Sequence, residues 1–168
     1  MFNTLSRMTR TGILTEPRPT VAVTPHTVET LQHELWKILG RALTIRHVDA
    51  GSCNGCELEI HALNNPYYNL EGAGIKFVAS PRHADLLLVT GPVSVNMREA
   101  LLRTYDAIPD PKLVVAIGDC GKCGGIFGHT YATHGPISSV IPVDHTVAGC
   151  PPAPTAILAG ILQALAAC

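Results

Sequence analysis

The pattern of hydrophobic and polar positions predicts alternating strands and helices from residue 42 onward. Two runs, Leu86–Val89 and Leu113–Ile117, are apolar at every position, which is typical of strands buried on both faces of a parallel sheet. The predicted strands are Ala42–Val48, Ile75–Ser80, Asp85–Thr90, Lys112–Ile117 and Ser138–Val143. The predicted helices are Glu57–Leu63, Val95–Ile108 and Thr155–Ala167. This order predicts an α/β fold, doubly wound, with a mainly parallel five-stranded sheet and helices on both faces.

The N-terminal part of the chain has a different pattern. Residues 1–23 are rich in Pro and Thr and are predicted to form an extended leader. Residues 24–40 are predicted to form an amphipathic helix that is capped by Thr24, has Pro25 at its first position and ends at Gly40. Residues 41–168 then form a single α/β domain, so we predict three segments in all.

Composition narrows the functional classes. Of the 168 residues, 46% are apolar and 15% are charged, and the net charge is −1. Balanced charge without a basic stripe argues against a nucleic-acid partner, and scarce charge suggests that protein partners cover part of the surface. No run reaches the roughly 20 apolar residues of a membrane span, and the start lacks a secretory signal. We therefore expect a cytosolic, reducing setting, in which clustered cysteines bind metal more often than they form disulfides.

Cysteines follow three of the predicted strands. Cys53 and Cys56 follow the first strand, Cys120 the fourth and Cys150 the fifth. Ligands of doubly wound folds bind beyond the carboxyl ends of the strands, so these side chains are expected to meet at one edge. Four soft thiolates suit a single [4Fe–4S] cluster. The sequence thus predicts Cys53, Cys56, Cys120 and Cys150 as the metal and cofactor ligands, with no catalytic residue.

Two other cofactor interpretations remain open. Cys123 forms a second Cys-x-x-Cys pair with Cys120, so both pairs together predict a four-thiolate zinc site in an interaction domain. Their separation far exceeds the roughly 15 to 20 residues of compact zinc modules, and this set leaves Cys150 unused. We interpret Cys123 and Cys168 as bystanders. A flavodoxin-like FMN carrier is disfavoured because no Ser/Thr-rich phosphate loop follows the first strand.

The cysteine motifs resemble a known family: the small, cluster-bearing subunit shared by [NiFe] hydrogenases and the respiratory NADH:quinone oxidoreductase, where it is known as the 20 kDa subunit. The likeness rests on Ser52–Glu57, Gly118–Cys120 and Gly149–Pro154, and it extends over roughly 45–167. Asn54-Gly55 separates the first two cysteines, which resembles the hydrogenase branch, and most of all the membrane-associated, hydrogen-evolving formate hydrogenlyase type. The respiratory version usually has two adjacent cysteines.

The resemblance implies a fold, a function and partners. The fold would be flavodoxin-like and hold one [4Fe–4S] cluster. The chain would be a non-catalytic electron-transfer subunit of an oxidoreductase, exchanging electrons with the nickel–iron site of a large subunit during proton reduction or H2 oxidation. Its other partners would be a ferredoxin-like polyferredoxin subunit and membrane subunits, with the complex on the cytoplasmic side of the inner membrane. The alternative is a quinone-reducing, complex I-like subunit.

Two acidic residues of the motifs are further candidates. Glu57 follows Cys56 directly and is a possible proton relay, although a carboxylate there also stabilises the start of a helix through the helix dipole. Asp119 is expected to brace a tight loop formed by 118–125.

Overall fold

The structure is a computed structural model that describes residues 39–167 together with positions 33, 36 and 37. Five strands form one sheet: β1 Leu43–Asp49, β2 Ile75–Phe77, β3 Leu86–Thr90, β4 Leu113–Ile117 and β5 His145–Val147. Four α-helices have both ends within the described residues: α1 Gly55–Ala62, α2 Arg98–Ala107, α3 Gly118–Cys123 and α4 Pro154–Ala166. The strand order is β2-β1-β3-β4-β5 and every pairing is parallel.

Each face of the sheet carries its own hydrophobic core. Alternate residues of β3 point to opposite faces, so Leu86 and Leu88 belong to one core while Leu87 and Val89 belong to the other. Helices α1 and α4 cover the first face, and α2 covers the second with Leu101. The prediction of a doubly wound α/β fold with a parallel five-stranded sheet is confirmed.

The predicted fifth strand was wrong. Residues 137–139 form a 3-10 turn, and the strand that pairs with β4 lies further on, with Val115 opposite His145. Ile137 and Ile141 are both buried in the second core, and their spacing of four suits a helical turn rather than a strand. Ser139 stabilises the turn, since its hydroxyl donates to the carbonyl oxygen of Pro136 at 2.7 Å.

Other boundaries moved less. Strand β2 ends at Phe77, three residues before its predicted end, because only three of its residues pair with β1. The predicted tight loop 118–125 was also wrong in its first part, since Gly118–Cys123 is a short helix. Helix α2 begins three residues later than predicted, and α1 begins two residues earlier.

The predicted leader 1–23 lies outside the described residues, as does most of the predicted helix 24–40. Positions 33, 36, 37 and 39 are helical, and the Gly40 amide donates to the carbonyl oxygen of Trp36 at 3.0 Å. Within the part of the chain that the structure describes, no helix is long and apolar enough to cross a bilayer.

Candidate metal centre at the carboxyl edge of the sheet

The cysteine segments lie beyond the carboxyl ends of three strands. Cys53 lies in the loop after β1, and Cys56 lies in the first turn of α1. Cys120 is in α3, which begins directly after β4, and Cys150 follows β5. All of them are free thiols; Cys56 and Cys120 are half-buried, whereas Cys53 and Cys150 are exposed.

Burial and neighbouring thiols affect the ionisation of Cys56 and Cys120. The pKa of the Cys56 thiol is raised to about 12, first by burial, then by the Glu57 carboxylate, and then by Cys120, Cys53 and Cys150. Burial also raises the pKa of Cys120, with Cys150 and Cys53 as the next causes. Without a cation, the surroundings of Cys56 and Cys120 therefore disfavour their thiolate forms. The predicted residues are thus brought within electrostatic reach of each other.

Two glycines allow the backbone to approach the sulfurs closely. Gly118 has φ +83°, and a Cβ at this position would lie 2.8 Å from Cys56 Sγ. Gly125 has φ +56°, and its Cβ would lie 2.7 Å from Cys120 Sγ. Any side chain at either position would collide with a thiol and also strain the backbone.

The loop that carries Cys53 is fixed by an acceptor at the end of β1. Asp49 Oδ1 accepts hydrogen bonds from the amides of Gly51 at 2.8 Å and Ser52 at 2.7 Å. Partial burial would raise the pKa of Asp49, but the Ser52 and Gly51 amides, the Ser52 hydroxyl and His47 together outweigh it and leave the pKa below its ordinary value. The turn then passes through Asn54, which has φ 70° and precedes α1.

A pair of reciprocal hydrogen bonds joins α3 to the loop that carries Cys150. The Asp119 amide donates to the carbonyl oxygen of Gly149 at 2.9 Å, and the Gly149 amide donates to Asp119 Oδ1, also at 2.9 Å. The Asp119 side chain therefore fixes the neighbouring loop that carries Cys150, and not the loop 118–125 that it was predicted to brace. We call this pair the α3–β5 latch.

Cys123 differs from the four predicted ligands. Its thiol is exposed and donates to the carbonyl oxygen of Asp119 at 3.2 Å, one turn back in α3. Its charge is the last of five causes that raise the pKa of Cys120, and it is not among the causes for Cys56.

The donor set consists of soft thiolates of the kind that iron–sulfur clusters and zinc both take. Mononuclear zinc needs its four ligands around one centre, whereas in a [4Fe–4S] cluster each thiolate binds a different iron. Four soft donors, two of them thiols whose thiolate forms are disfavoured without a cation, and glycines that make room for sulfur fit such a cluster.

Glu57 occupies an unusual position beside the thiols. Its side chain is only 8% exposed, and both carboxylate oxygens lack a hydrogen-bond partner. The nearest basic group is His47, whose Nε2 lies 4.0 Å from Glu57 Oε1 and 3.1 Å from Thr90 Oγ1. Burial lowers the pKa of His47, although Glu57 opposes this.

Sequence reasoning missed His47, Asp49 and Thr90. The role of Asp49 could have been predicted from the sequence, because an Asp two residues before a glycine is typical of a side chain that accepts hydrogen bonds from the amides of a turn. Nothing in the sequence indicates that His47 lies near both Glu57 and Thr90, since these three residues belong to different elements.

Exposed apolar side chains lie on the loops next to this edge. Ile126 is 92% exposed and Tyr131 is 98% exposed, and Phe127 and Val95 are also exposed. The Val95 amide donates to the carbonyl oxygen of Ala132 at 2.9 Å, which joins the loop after β3 to the loop after α3. We call Val95, Ile126, Phe127 and Tyr131 the apolar rim.

Comparison with known proteins identifies the class. Residues 53–164 match the family described as NADH ubiquinone oxidoreductase, 20 Kd subunit, and the chain belongs to this family. The chain is therefore a subunit of the hydrogenase and complex I-like class of oxidoreductases, as the motifs indicated.

Two relatives illustrate this similarity. The chain is 49% identical to a probable membrane-bound hydrogenase subunit of Pyrococcus furiosus over 79% of each chain. It is 42% identical to formate hydrogenlyase subunit 7 of Escherichia coli over 88% of this chain, but it spans only 58% of that protein.

Among solved structures, one chain of the membrane-bound sulfane sulfur reductase, described as an archaeal respiratory membrane complex, superposes with a TM-score of 0.66. The identity is 34%, over 81% of this chain and 74% of that one.

Proposed function

We propose that this chain is an electron-transfer subunit that carries one [4Fe–4S] cluster on Cys53, Cys56, Cys120 and Cys150. The observation that carries the proposal is that three separate strand ends bring these four thiols together: Cys120, Cys53 and Cys150 all contribute to the raised pKa of Cys56, and Cys150 and Cys53 contribute to the raised pKa of Cys120. A [4Fe–4S] cluster, when bound, supplies one-electron redox chemistry.

The chain's own groups would hold the cluster and set its surroundings. The first intrahelical bond of α1 is donated by the Leu58 amide to Asn54, so the amides before it have no acceptor within the helix. These donors, together with the positive end of the helix dipole, favour an anionic centre beside Cys53 and Cys56. The α3–β5 latch would fix the positions of Cys120 and Cys150 relative to each other.

The partner we propose is a large subunit with a nickel–iron site, with which this subunit exchanges electrons during proton reduction or H2 oxidation. The hydrogenase names of two relatives support this choice. A polyferredoxin subunit and membrane subunits would complete a complex on the cytoplasmic side of the inner membrane. The apolar rim supports a protein-covered site, since large exposed apolar side chains around a site are typical of contacts with other proteins.

Glu57 is the proposed proton relay next to this centre, because it is buried and lacks a hydrogen-bond partner. It is not a ligand. In the intact complex we expect Glu57→Gln to slow H2 turnover while the iron content stays unchanged. Loss of iron would instead assign Glu57 a structural role.

The cluster is tested by iron and acid-labile sulfide analysis of the complex purified without oxygen. We expect Cys150→Ser to lower the iron and the sulfide content of the complex by about four each per copy of this chain, and Cys123→Ser to leave both unchanged. The two substitutions are chemically matched, so a general effect of removing a thiol would appear in both. Zinc without sulfide, or a requirement for Cys123, would contradict the proposal.

The quinone-reducing, complex I-like subunit is the second candidate, favoured by the name of the matching family. The metal content of the co-purified large subunit separates the two candidates. Nickel supports the hydrogenase, and its absence together with quinone reductase activity supports the alternative.

A further inference from the structure

Thr90, the last residue of β3, is a polar side chain inside the core. Within the described part of the chain it is fully buried, and Glu57 is the other buried polar or charged residue. A buried hydroxyl is costly unless it makes hydrogen bonds, so its partners indicate its role. None of the hydrogen bonds in the cysteine loops or the α3–β5 latch involves this side chain.

The Thr90 hydroxyl has two partners, and they differ in what they can do. Oγ1 lies 3.5 Å from the carbonyl oxygen of Val48, which can only accept. It lies 3.1 Å from Nε2 of His47, which donates or accepts depending on where the ring carries its proton. A hydroxyl has a single proton. When that proton is directed at Val48, the oxygen accepts from His47, and Nε2 must carry a hydrogen.

The Glu57 carboxylate favours the same arrangement. His47 Nε2 lies 4.0 Å from Glu57 Oε1, which is too long for a hydrogen bond but close enough for a strong electrostatic effect between buried groups. Both carboxylate oxygens lack a hydrogen-bond partner. A bare Nε2 would hold its lone pair beside these oxygens, whereas an N–H group there presents its positive end.

The His47 ring is neutral at neutral pH. Burial lowers its pKa, and this effect outweighs the opposing charges of Glu57 and Asp49. A neutral imidazole has one N–H group, so the ring has two possible tautomers. The hydrogen bonds that the ring makes decide between them.

We propose that Thr90 is a positioning residue that keeps the single ring proton of His47 on Nε2, the ring nitrogen closer to Glu57. The ring thus presents a donor rather than a lone pair to the buried carboxylate. This arrangement does not depend on iron. It rests on the proposed function in one respect only, because a donor at this place contributes to H2 turnover only if Glu57 relays protons.

Nuclear magnetic resonance of the full, isotope-labelled chain without iron tests the arrangement. A ring N–H proton is observed when a hydrogen bond slows its exchange with water. We expect such a signal on Nε2 of His47, assigned by its absence in His47→Gln. It should persist in Thr90→Ser, which keeps the hydroxyl, and disappear in Thr90→Val, which has the same shape without it. Thr146→Val, at an exposed threonine of β5, is the matched control and should retain the signal.

Three results would overturn the inference: a His47 signal on Nδ1, no ring N–H signal from His47 in the parent chain, or a signal that survives in Thr90→Val. If Thr90→Val does not fold, the parent chain and Thr90→Ser still decide, since both must carry the proton on Nε2.

Turnover of the complex separates this inference from the proposed function. We expect Thr90→Val to slow H2 turnover several-fold at unchanged iron content, and Thr90→Ser to restore the parent rate. A slow Glu57→Gln beside a Thr90→Val at the parent rate would show that Thr90 has no positioning role. Unchanged rates in both Thr90→Val and Glu57→Gln would contradict the relay but not the position of the proton.

Discussion

Single backbone positions determine how closely the thiols can pack. Gly118 has φ +83°, and its Cα hydrogen faces Cys56 Sγ at a distance that no methyl group could occupy. Gly74 has nearly the same dihedral, φ +86°, but has open space where a Cβ would lie. The two positions therefore separate backbone strain from crowding of a sulfur.

We expect Gly118→Ala and Gly74→Ala to lose similar stability from strain, about 1 to 2 kcal/mol. Only Gly118→Ala should also lower the iron content of the complex, because its methyl group displaces Cys56. Thermal unfolding and iron analysis of both variants provide the measurements. Equal iron content in the two variants would show that the small size of Gly118 is not needed to position Cys56 Sγ.

Asp49 is a second residue whose contribution to stability can be measured separately. Despite partial burial, its hydrogen bonds and His47 keep its native pKa below the ordinary value of 3.8, so its stabilising contribution is present above that pH and disappears as the pH falls through the native pKa. We expect Asp49→Asn to lower the free energy of unfolding by less than about 1 kcal/mol at neutral pH, because a neutral acceptor replaces a charged one whose interactions are screened by solvent.

Denaturant unfolding at several pH values measures this difference, which should shrink below pH 3.8. Asp106→Asn on the exposed side of α2 is the control. A difference between Asp49→Asn and the parent chain that stays constant down to acid pH would rule out the charge as its cause.

At the scale of elements, the candidate site depends on how α3 and the loop after β5 are joined. The α3–β5 latch holds the carboxyl ends of β4 and β5 together. At the opposite ends of the same strands, Asp144 Oδ2 accepts from the Val114 amide at 2.7 Å. The sheet thus has one carboxylate bridge at each end of this strand pair.

We expect Asp119→Ala and Asp144→Ala each to lower the free energy of unfolding by about 1 to 3 kcal/mol, because each leaves a partly buried amide without its acceptor. Only Asp119→Ala should speed the release of iron to a chelator, since only this bridge fixes a cysteine loop. Similar release rates in both variants would assign the effect to stability alone.

At the scale of the whole molecule, the apolar rim next to the thiols is unlike an ordinary surface, since two of its side chains are more than nine-tenths exposed. We expect Tyr131→Ser to reduce co-purification of the partner subunit several-fold while the far-ultraviolet circular dichroism of the chain is unchanged. Tyr67→Ser is the matched control, because Tyr67 is 61% exposed and lies outside the rim. Equal losses for both tyrosines would argue against the rim as the contact.

The sequence by itself determined the sheet and the edge on which the site lies. Runs such as Leu113–Ile117 have no polar face, so they fit only strands that are covered on both sides. Cysteines that directly follow such strands must lie at the carboxyl edge, whatever the loops do. The motifs around Cys53, Cys120 and Cys150 are also local, so the sequence alone was enough to indicate the family.

Only the tertiary structure decided where β5 lies and how the candidate site is held together. Ile137 and Ile141 are as apolar as strand residues, but a helical turn places both of them in the second core, because residues four apart lie on the same side of such a turn. The latch, the contact of Gly118 with Cys56 and the burial of Glu57 join residues that are far apart in the chain. Local sequence patterns cannot predict these contacts, because the contacts depend on which strands become neighbours when the sheet forms.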